Sequence, residues 1–541
     1  MERLSPEIIW KILDEIECDG NSKLASCATI SSVWQHAVET RSFKYIHVES
    51  TAIPTFQNIF ARATHRQSYL QLLQLEIVLP TDGKTESDRI KNQLIFRQAI
   101  QSFLDVLSTW DAVWDGSAPD SPRLSIAPLS PHLAFRENHG EEAKRVQVIS
   151  ETRDPSLARR FLALPTNPVA PKLPIVPCAG NVFIQHSPVH VMHPLSVCQI
   201  AGAFTNVERL RLDYCDPAPK HRQLRLQRRN ELAQGLTSLC GKLPRLKRLT
   251  LQRNPGNANP IRNHSFRCQD FTDDQGIDLL CEAIRKLSQP TVTHLSMIGG
   301  HLSSDLFVDR RSKLDSPGAD TWHALQRLIL KVDFMSPDGR WYGTGRRARK
   351  DPRLNRPASP DTPTSALEVS DSEESESEES GSDDESASER DEKLIEGETQ
   401  AVDEWGGWAL EDCSVNGDRP CKEWRREVDA TTLETLLCAW SDALLQDRMP
   451  RFKTGELVMP DYRWASSIFA AECASAGQKL PSVARMDRFA PRPETRRWAF
   501  DLDNMEDWKA GEELMNKWRQ WVGETGSVTI DDEPIIGDAT T

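Results

Sequence analysis

Val207-Glu-Arg-Leu210-Arg-Leu212-Asp-Tyr-Cys215 places apolar residues two apart with charged residues between them. That alternation reads as a short strand with one face buried. The frame apolar-x-x-Leu-x-apolar recurs at Leu72-x-x-Leu75-x-Ile77, Leu246-x-x-Leu249-x-Leu251, Val292-x-x-Leu295-x-Met297 and Leu325-x-x-Leu328-x-Leu330. From Leu212 onward its last position returns after 39, 46 and 33 residues. Weaker versions lie around Leu124/Ile126, Phe452/Leu457 and Trp498/Phe500. Helical spacing fills the gaps: residues 88–110, 228–243, 273–287 (with Thr272 as a cap), 431–446 and 504–522 each carry apolar residues on one face. Alternating helices and short strands at repeat spacing imply stacked units with one continuous core, hence a mixed α/β fold.

The strand frame is close to the leucine-rich-repeat pattern L-x-x-L-x-L-x-x-N/C, which Cys215 and Asn254 complete in two copies. Neither copy has the apolar residue expected two positions later, and the spacing exceeds the usual ~20–29 residues. The expectation is an irregular leucine-rich-repeat-like α/β solenoid with long inserts; a less regular α/β domain is the alternative. Polar residues between the strand leucines should face outward. Arg209, Arg211, Lys247, Gln252, Arg327 and Lys331 are the candidate target-binding face. Guanidinium groups grip phosphate bidentately, so an acidic or phosphorylated segment would suit it; the bland alternative is a solvated surface.

The 541 residues carry a net charge of −14, but residues 361–400 alone hold 16 acidic and two basic residues, Arg390 and Lys393. The remainder is neutral. Segment 336–402 runs from basic through Pro/Ser-rich to acidic, offers little apolar surface to offset its ordering entropy, and is expected to be a disordered linker. Ser370, Ser375, Ser380, Ser382 and Ser388 each precede an acidic residue by three positions, a spacing that resembles acidophilic kinase sites; a solvated spacer is the alternative. Nine of the 15 tryptophans follow residue 400, so a folded lobe resumes there. The expected organisation is a helical unit at 1–48, repeats at 49–335, the linker at 336–402, an α/β lobe continuing the repeats at 403–528 and a disordered tail at 529–541.

The first unit opens with Leu4-Ser-Pro-Glu, a helix start in which Ser5 caps, Pro6 fits the first turn and Glu7 favours the positive helix end. Ile8, Ile9, Ile12, Leu13 and Ile16 follow at helical spacing, and a second pattern runs through Leu24, Ala28, Val33, Trp34 and Val38. About 45 residues make a marginal independent core, so such a unit leans on a partner or on the next domain. Leu4-Ser-Pro-Glu-Ile-Ile-x-x-Ile-Leu with Leu24, Ala28 and Trp34 resembles an F-box. The stretch from Leu4 to Ser50, with Asp19-Gly-Asn-Ser-Lys-Leu-Ala25, is similar to a group of filamentous-fungal F-box proteins. Those also resemble this chain at Leu107-Ser-Thr-Trp110, Pro337-Asp-Gly-Arg-Trp341 and the late helix around Trp508 to Trp521. Ser31 stands where these proteins often have Cys.

The resemblance implies binding to the Skp-type adaptor of a cullin–RING ubiquitin ligase. Leu4, Pro6, Ile8, Ile9, Ile12, Leu13 and Trp34 are the candidates for that contact or its immediate support. The expected role is that of a non-catalytic substrate-recognition subunit of a Skp–cullin–F-box ligase, whose repeat region holds a target protein. The alternative is an interaction scaffold outside the ubiquitin system, its F-box packed on its own repeats.

Other chemistry finds no motif. Gly235-Leu-Thr-Ser-Leu-Cys-Gly241-Lys242 has one residue too many between its glycines for a P-loop, and Leu243 where a hydroxyl should hold magnesium. His186, His190 and His193 near Cys178 and Cys198 match no zinc spacing. No nucleophile-elbow or zincin motif occurs. No cofactor, metal, nucleic acid or membrane partner is expected. Twelve scattered cysteines without a Cys-x-x-Cys pair, no apolar run of about 18 residues and no leader pattern point to an intracellular chain. Arg346-Arg-Ala-Arg-Lys350 resembles a nuclear-import patch, so cytoplasm and nucleus both remain open.

Overall fold

Two ladders of aliphatic side chains organise the molecule. In the computed structural model, which describes residues 4–18, 24–61, 63–81, 85–110, 122–129, 161–165, 172–185, 190–217, 222–254, 269–311, 321–344, 427–445, 448–461, 466–481, 494–502, 508–531 and 533–536, every copy of the alternating frame is a strand. The strands are β1 (Tyr45–Glu49), β2 (Leu72–Val78), β3 (Arg123–Leu129), β4 (Phe161–Leu162), β5 (Asn181–Ile184), β6 (Val191–Met192), β7 (Arg209–Cys215), β8 (Arg248–Asn254), β9 (His294–Ile298), β10 (Arg327–Lys331), β11 (Gly343–Thr344), β12 (Glu427–Val428), β13 (Thr454–Asp461), β14 (Ser466–Ala474), β15 (Arg497–Asp501), β16 (Ser527–Ile530) and β17 (Glu533–Ile536). The α-helices are α1 (Pro6–Cys18), α2 (Leu24–Cys27), α3 (Ser32–Ser42), α4 (Ile53–Ala61), α5 (Glu86–Ser108), α6 (Pro194–Gly202), α7 (Arg222–Leu239), α8 (Leu279–Ser288), α9 (Thr435–Leu445) and α10 (Glu512–Val522).

Thirteen strands form one sheet in the order β1-β2-β3-β5-β7-β8-β9-β10-β13-β14-β15-β16-β17. Neighbours from β1 to β13 are parallel; β13–β14, β14–β15 and β16–β17 are antiparallel, and β15–β16 is parallel. In one ladder Leu73, Leu124, Val182, Leu210, Leu249, Leu295 and Leu328 stand side by side; in the next, Leu75, Ile126, Ile184, Leu212, Leu251, Met297, Leu330 and Leu457 do. All are 2% exposed or less. A slip of one residue would turn a whole strand's leucines to the other face, so the ladders pin the register. Phe103 of α5, Ile200 of α6, Leu236 of α7, Ile284 of α8, Leu437 of α9 and Trp518 of α10 all join the core on this face.

At β13 the first ladder meets Gly455. A Cβ there would lie 2.5 Å from Trp440 Cζ2 and 2.8 Å from Phe452 Cζ, so glycine lets the indole press onto the strand. Trp440 in turn meets Trp498 at 4.9 Å, and Phe500 packs on Trp518 at 4.5 Å. The late tryptophans thus take over the leucine ladder's place in the core.

Several boundaries differ from expectation. α8 is capped by Asp278, whose carboxylate accepts the Leu280 N–H at 3.1 Å, and not by Thr272; Asp273 folds the intervening residues into a turn closed by Gly276 at φ +72°. Residues 336–344 are ordered and not linker, because Trp341 and Tyr342 bury their rings and the Tyr342 hydroxyl donates to the Leu302 carbonyl. The first strand begins inside the expected 1–48 unit, and β17 lies in the expected tail. Residues 345–426, with the rest of the linker and its five serines, and 130–160 lie outside the described residues. Among the described residues no helix is long and apolar enough to cross a membrane.

Candidate functional site

The N-terminal helices have a core of their own, Ile9, Leu13, Trp34, Ala37 and Val38, separate from the core under the sheet. This sorts the seven residues expected to meet an adaptor. Ile9, Leu13 and Trp34 are at most 4% exposed and hold the unit together; Leu4 and Ile12 are half-buried against them; Pro6 and Ile8 are exposed. Two further exposed aliphatics, Ile30 at 41% and Val33 at 42%, join Ile8 at 46%. Val33 counted as core by its spacing. With α3 starting at Ser32, however, Trp34, Ala37 and Val38 form the inward stripe, which leaves Val33 outside.

α3 also fastens the unit to the 3-10 turn at Thr64–Tyr69, which leads into β2. The Glu39 carboxylate accepts from Arg66 Nη2 at 2.7 Å, His65 Nε2 at 2.9 Å and Gln35 Nε2 at 3.0 Å. Burial works to raise its pKa, but these hydrogen bonds and the Arg66 charge hold it at about 2. Nearby, Arg41 donates to Asp14 at 2.6 Å and to the Trp10 carbonyl at 2.9 Å, lining a cleft of about 600 Å³ between the helices and the first strands.

On the sheet face opposite the helices the side chains stand in rows across the strands, half-buried or exposed on β8, β9 and β10 but buried at Ser125 and Asn181. Of the six residues expected to form a target face, four are neutralised or bridged locally. Arg211 donates to Asp213 at 2.9 Å and to Gln252 at 2.7 Å; Lys247 pairs with buried Glu208 at 3.0 Å; Lys331 approaches Glu456 at 3.6 Å. Lys247 also shares the alternation of Leu249, so it does not stand on that face. By register Arg209 and Arg327 share one row with Arg248 and His294, and Arg123 stands two strands from Arg209 across buried Asn181. Burial, then Arg248, Arg327, Lys453 and Arg209, push the His294 imidazole down to about 4. Burial and Arg248 lower Arg209. Arg123 and His294 were not legible as part of a face, since only strand register aligns them with Arg209.

A second polar cluster is buried behind β7, β8 and β10. Arg229 pairs with Asp278 at 2.8 Å, Arg253 with Asp333 at 2.7 Å, and Arg225 lies 3.7 Å from Asp216. His301 stacks on Phe271 at 5.2 Å and is driven well below its usual pKa by burial and then by Arg253, Arg229 and Arg225. Three guanidiniums matched to three carboxylates tie α7 and α8 to the strand ends, an arrangement suited to locking those elements together.

The rejected motifs have structural places. Gly235 lies inside α7 against Cys198, and Gly241 follows the helix end, whereas a phosphate loop precedes its helix. His193 accepts the Leu195 N–H at 3.3 Å at the start of α6 and meets Glu231 at 3.1 Å. Burial pushes the Cys178 and Cys198 thiols up to about 12, away from nucleophilic thiolate. Comparison with protein-family models, curated proteins and solved structures found no match.

Proposed function

We propose that this chain is the substrate-recognition subunit of a Skp–cullin–F-box ubiquitin ligase. The N-terminal helices dock on a Skp-type adaptor, and the sheet face opposite the helices holds a target so that its lysines lie near the ubiquitin-carrying enzyme. The contribution to ubiquitin transfer is positional and not catalytic. The main-sheet strands β1, β2, β3, β5, β7, β8, β9, β10 and β13 follow one another in chain order with parallel pairing, which supports reading the sheet as an irregular leucine-rich-repeat-like solenoid. The observation that carries the functional reading is the exposure of Ile8, Ile30 and Val33 on a helical unit whose own core is already complete. Exposed aliphatics of this kind suit helix docking.

The test is coexpression of the full chain with a fungal Skp-type adaptor. Wild type is expected to copurify with the adaptor, and Ile8→Asp with Val33→Asp to abolish copurification while leaving the thermal transition in place. The second reading, a scaffold outside the ubiquitin system, is favoured by Glu39, which clamps the helices to the turn that leads into β2. Recovery of the adaptor without a cullin would support it.

A further inference from the structure

We propose that the cleft between the N-terminal helices and the first strands binds a small organic anion, a carboxylate or phosphate carried on an apolar body. α1, the end of α3, the start of β1, the turn into β2 and Pro122 ahead of β3 enclose it. Its charges are unequally served. Arg41 donates to Asp14 at 2.6 Å and to the Trp10 carbonyl at 2.9 Å, and its guanidinium lies 4.8 Å from the centre of the Trp10 ring. That pair is matched within the chain. The Lys44 ammonium lies 5.2 Å from the centre of the Tyr45 ring, and among the described residues it meets no carboxylate. Gln71 takes the Tyr45 hydroxyl on its side-chain oxygen at 3.4 Å, so what it offers a ligand is its amide N–H groups. The Thr40 and Ser68 hydroxyls are engaged by the His36 and His65 carbonyls at 2.8 and 2.6 Å. Lys44 and Gln71 are the donors that these bonds leave, and both suit a negative oxygen.

The backbone holds these two donors together. The Lys44 carbonyl accepts the Gln71 and Leu72 N–H groups at 2.8 and 3.1 Å, and the Gln71 carbonyl accepts the Arg123 N–H at 2.8 Å. The volume decides between a bare ion and an organic one. At about 600 Å³ the cleft falls in the ~300–1,000 Å³ range of small-molecule sites, and a bare phosphate would leave most of it to water. Apolar surface lines the remainder. Leu70 is buried, and Pro122 and Tyr69 stand beside it, the Tyr69 hydroxyl turned to His36 at 2.7 Å. Tyr45, 63% exposed, adds ring surface that the fold does not cover. A ligand seated here would touch α3, β1 and the turn into β2 at once. It would tie the helical unit to the sheet and, by binding the folded chain alone, raise its thermal transition.

The cleft is independent of the ligase reading and is tested apart from it. The probes are 2-naphthoate and 2-naphthyl phosphate, with 2-naphthamide as the neutral comparison. Each is titrated on the full chain at low salt and read by saturation-transfer NMR. The expected result is saturable binding of at least one anion, at least tenfold tighter than the amide, with an upward shift of the thermal transition. The tighter of the two anions identifies the head group. Lys44→Gln with Gln71→Leu should weaken that binding at least tenfold. Lys44→Gln alone, a change at a half-buried side chain, carries the same test if the pair lowers the transition of the free chain. Ile8→Asp with Val33→Asp should leave the affinity unchanged. Absence of saturable binding by both anions, equal affinity for the amide, or unchanged affinity in the Lys44 variants would overturn the proposal. So would loss of binding in Ile8→Asp with Val33→Asp alone, which would put the probe on the exposed aliphatics instead.

Discussion

Glu39 on α3 accepts a hydrogen bond from Arg66 at 2.7 Å across the junction between the N-terminal helices and the turn that leads into β2. With His65 at 2.9 Å it is the polar clamp of that junction. Glu39→Gln keeps the shape and removes the charge, and should cost about 1.5–3 kcal/mol, the range for hydrogen bonds to charged groups. Because the folded pKa is about 2 and the usual value is 4.5, the clamp is fully present above pH 4.5 and lost as pH falls toward 2. Urea denaturation of wild type and variant between pH 7 and 3 should show the difference shrinking on the acid side.

Arg229 and Asp278 are both nearly inaccessible, so removing one partner strands the other. Arg229→Met should destabilise by ~3–5 kcal/mol. Adding Asp278→Asn removes the stranded charge and keeps an oxygen for the Leu280 N–H, and should recover a large part of the loss. A double-mutant cycle by chemical denaturation measures this.

Gly455→Ala forces a methyl into Trp440 and Phe452. Over-packing of this kind should cost about 1–3 kcal/mol. Trp440→Leu in the same chain should relieve it, so the two changes should be strongly non-additive in thermal melts.

His294 titrates in a window that lies mostly above that of Glu39. Its folded pKa of about 4 lies below the usual 6.5, so the unfolded chain binds the extra proton between those values. Its contribution is therefore complete above pH 6.5 and falls away as pH drops to about 4. His294→Gln should flatten the stability profile there, and NMR titration should place the imidazole near 4.

The strands were the legible part of this chain, because each carries alternation and a leucine frame that burial requires. Leu210 and Leu212 announce β7 without help from any other segment. β5 was silent: Asn181–Ile184 is four residues long, too short to show a period. The cap of α8 was misplaced because Thr272 and Asp278 are both good caps, and Ile277 at helical spacing hid the turn between them. The site was legible as charge but not as geometry. Lys247 reads as a surface cation until Glu208, 39 residues earlier, is seen beside it. Arg123 joins Arg248 only through the pairing of β3, β5, β7 and β8. In the helical unit, spacing found Ile8, Ile9 and Trp34 together, but only packing separates the two that fill the core from the one left at the surface.

In the proposed ligase role, the exposed aliphatics of the N-terminal helices hold a Skp-type adaptor. The most direct measurement of this is copurification of the full chain with that adaptor, for wild type and for Ile8→Asp with Val33→Asp. A stoichiometric complex is expected for wild type and none for the variant, with matching thermal transitions for the two free chains. Absence of a complex with wild type, or an undiminished complex with the variant, would contradict it.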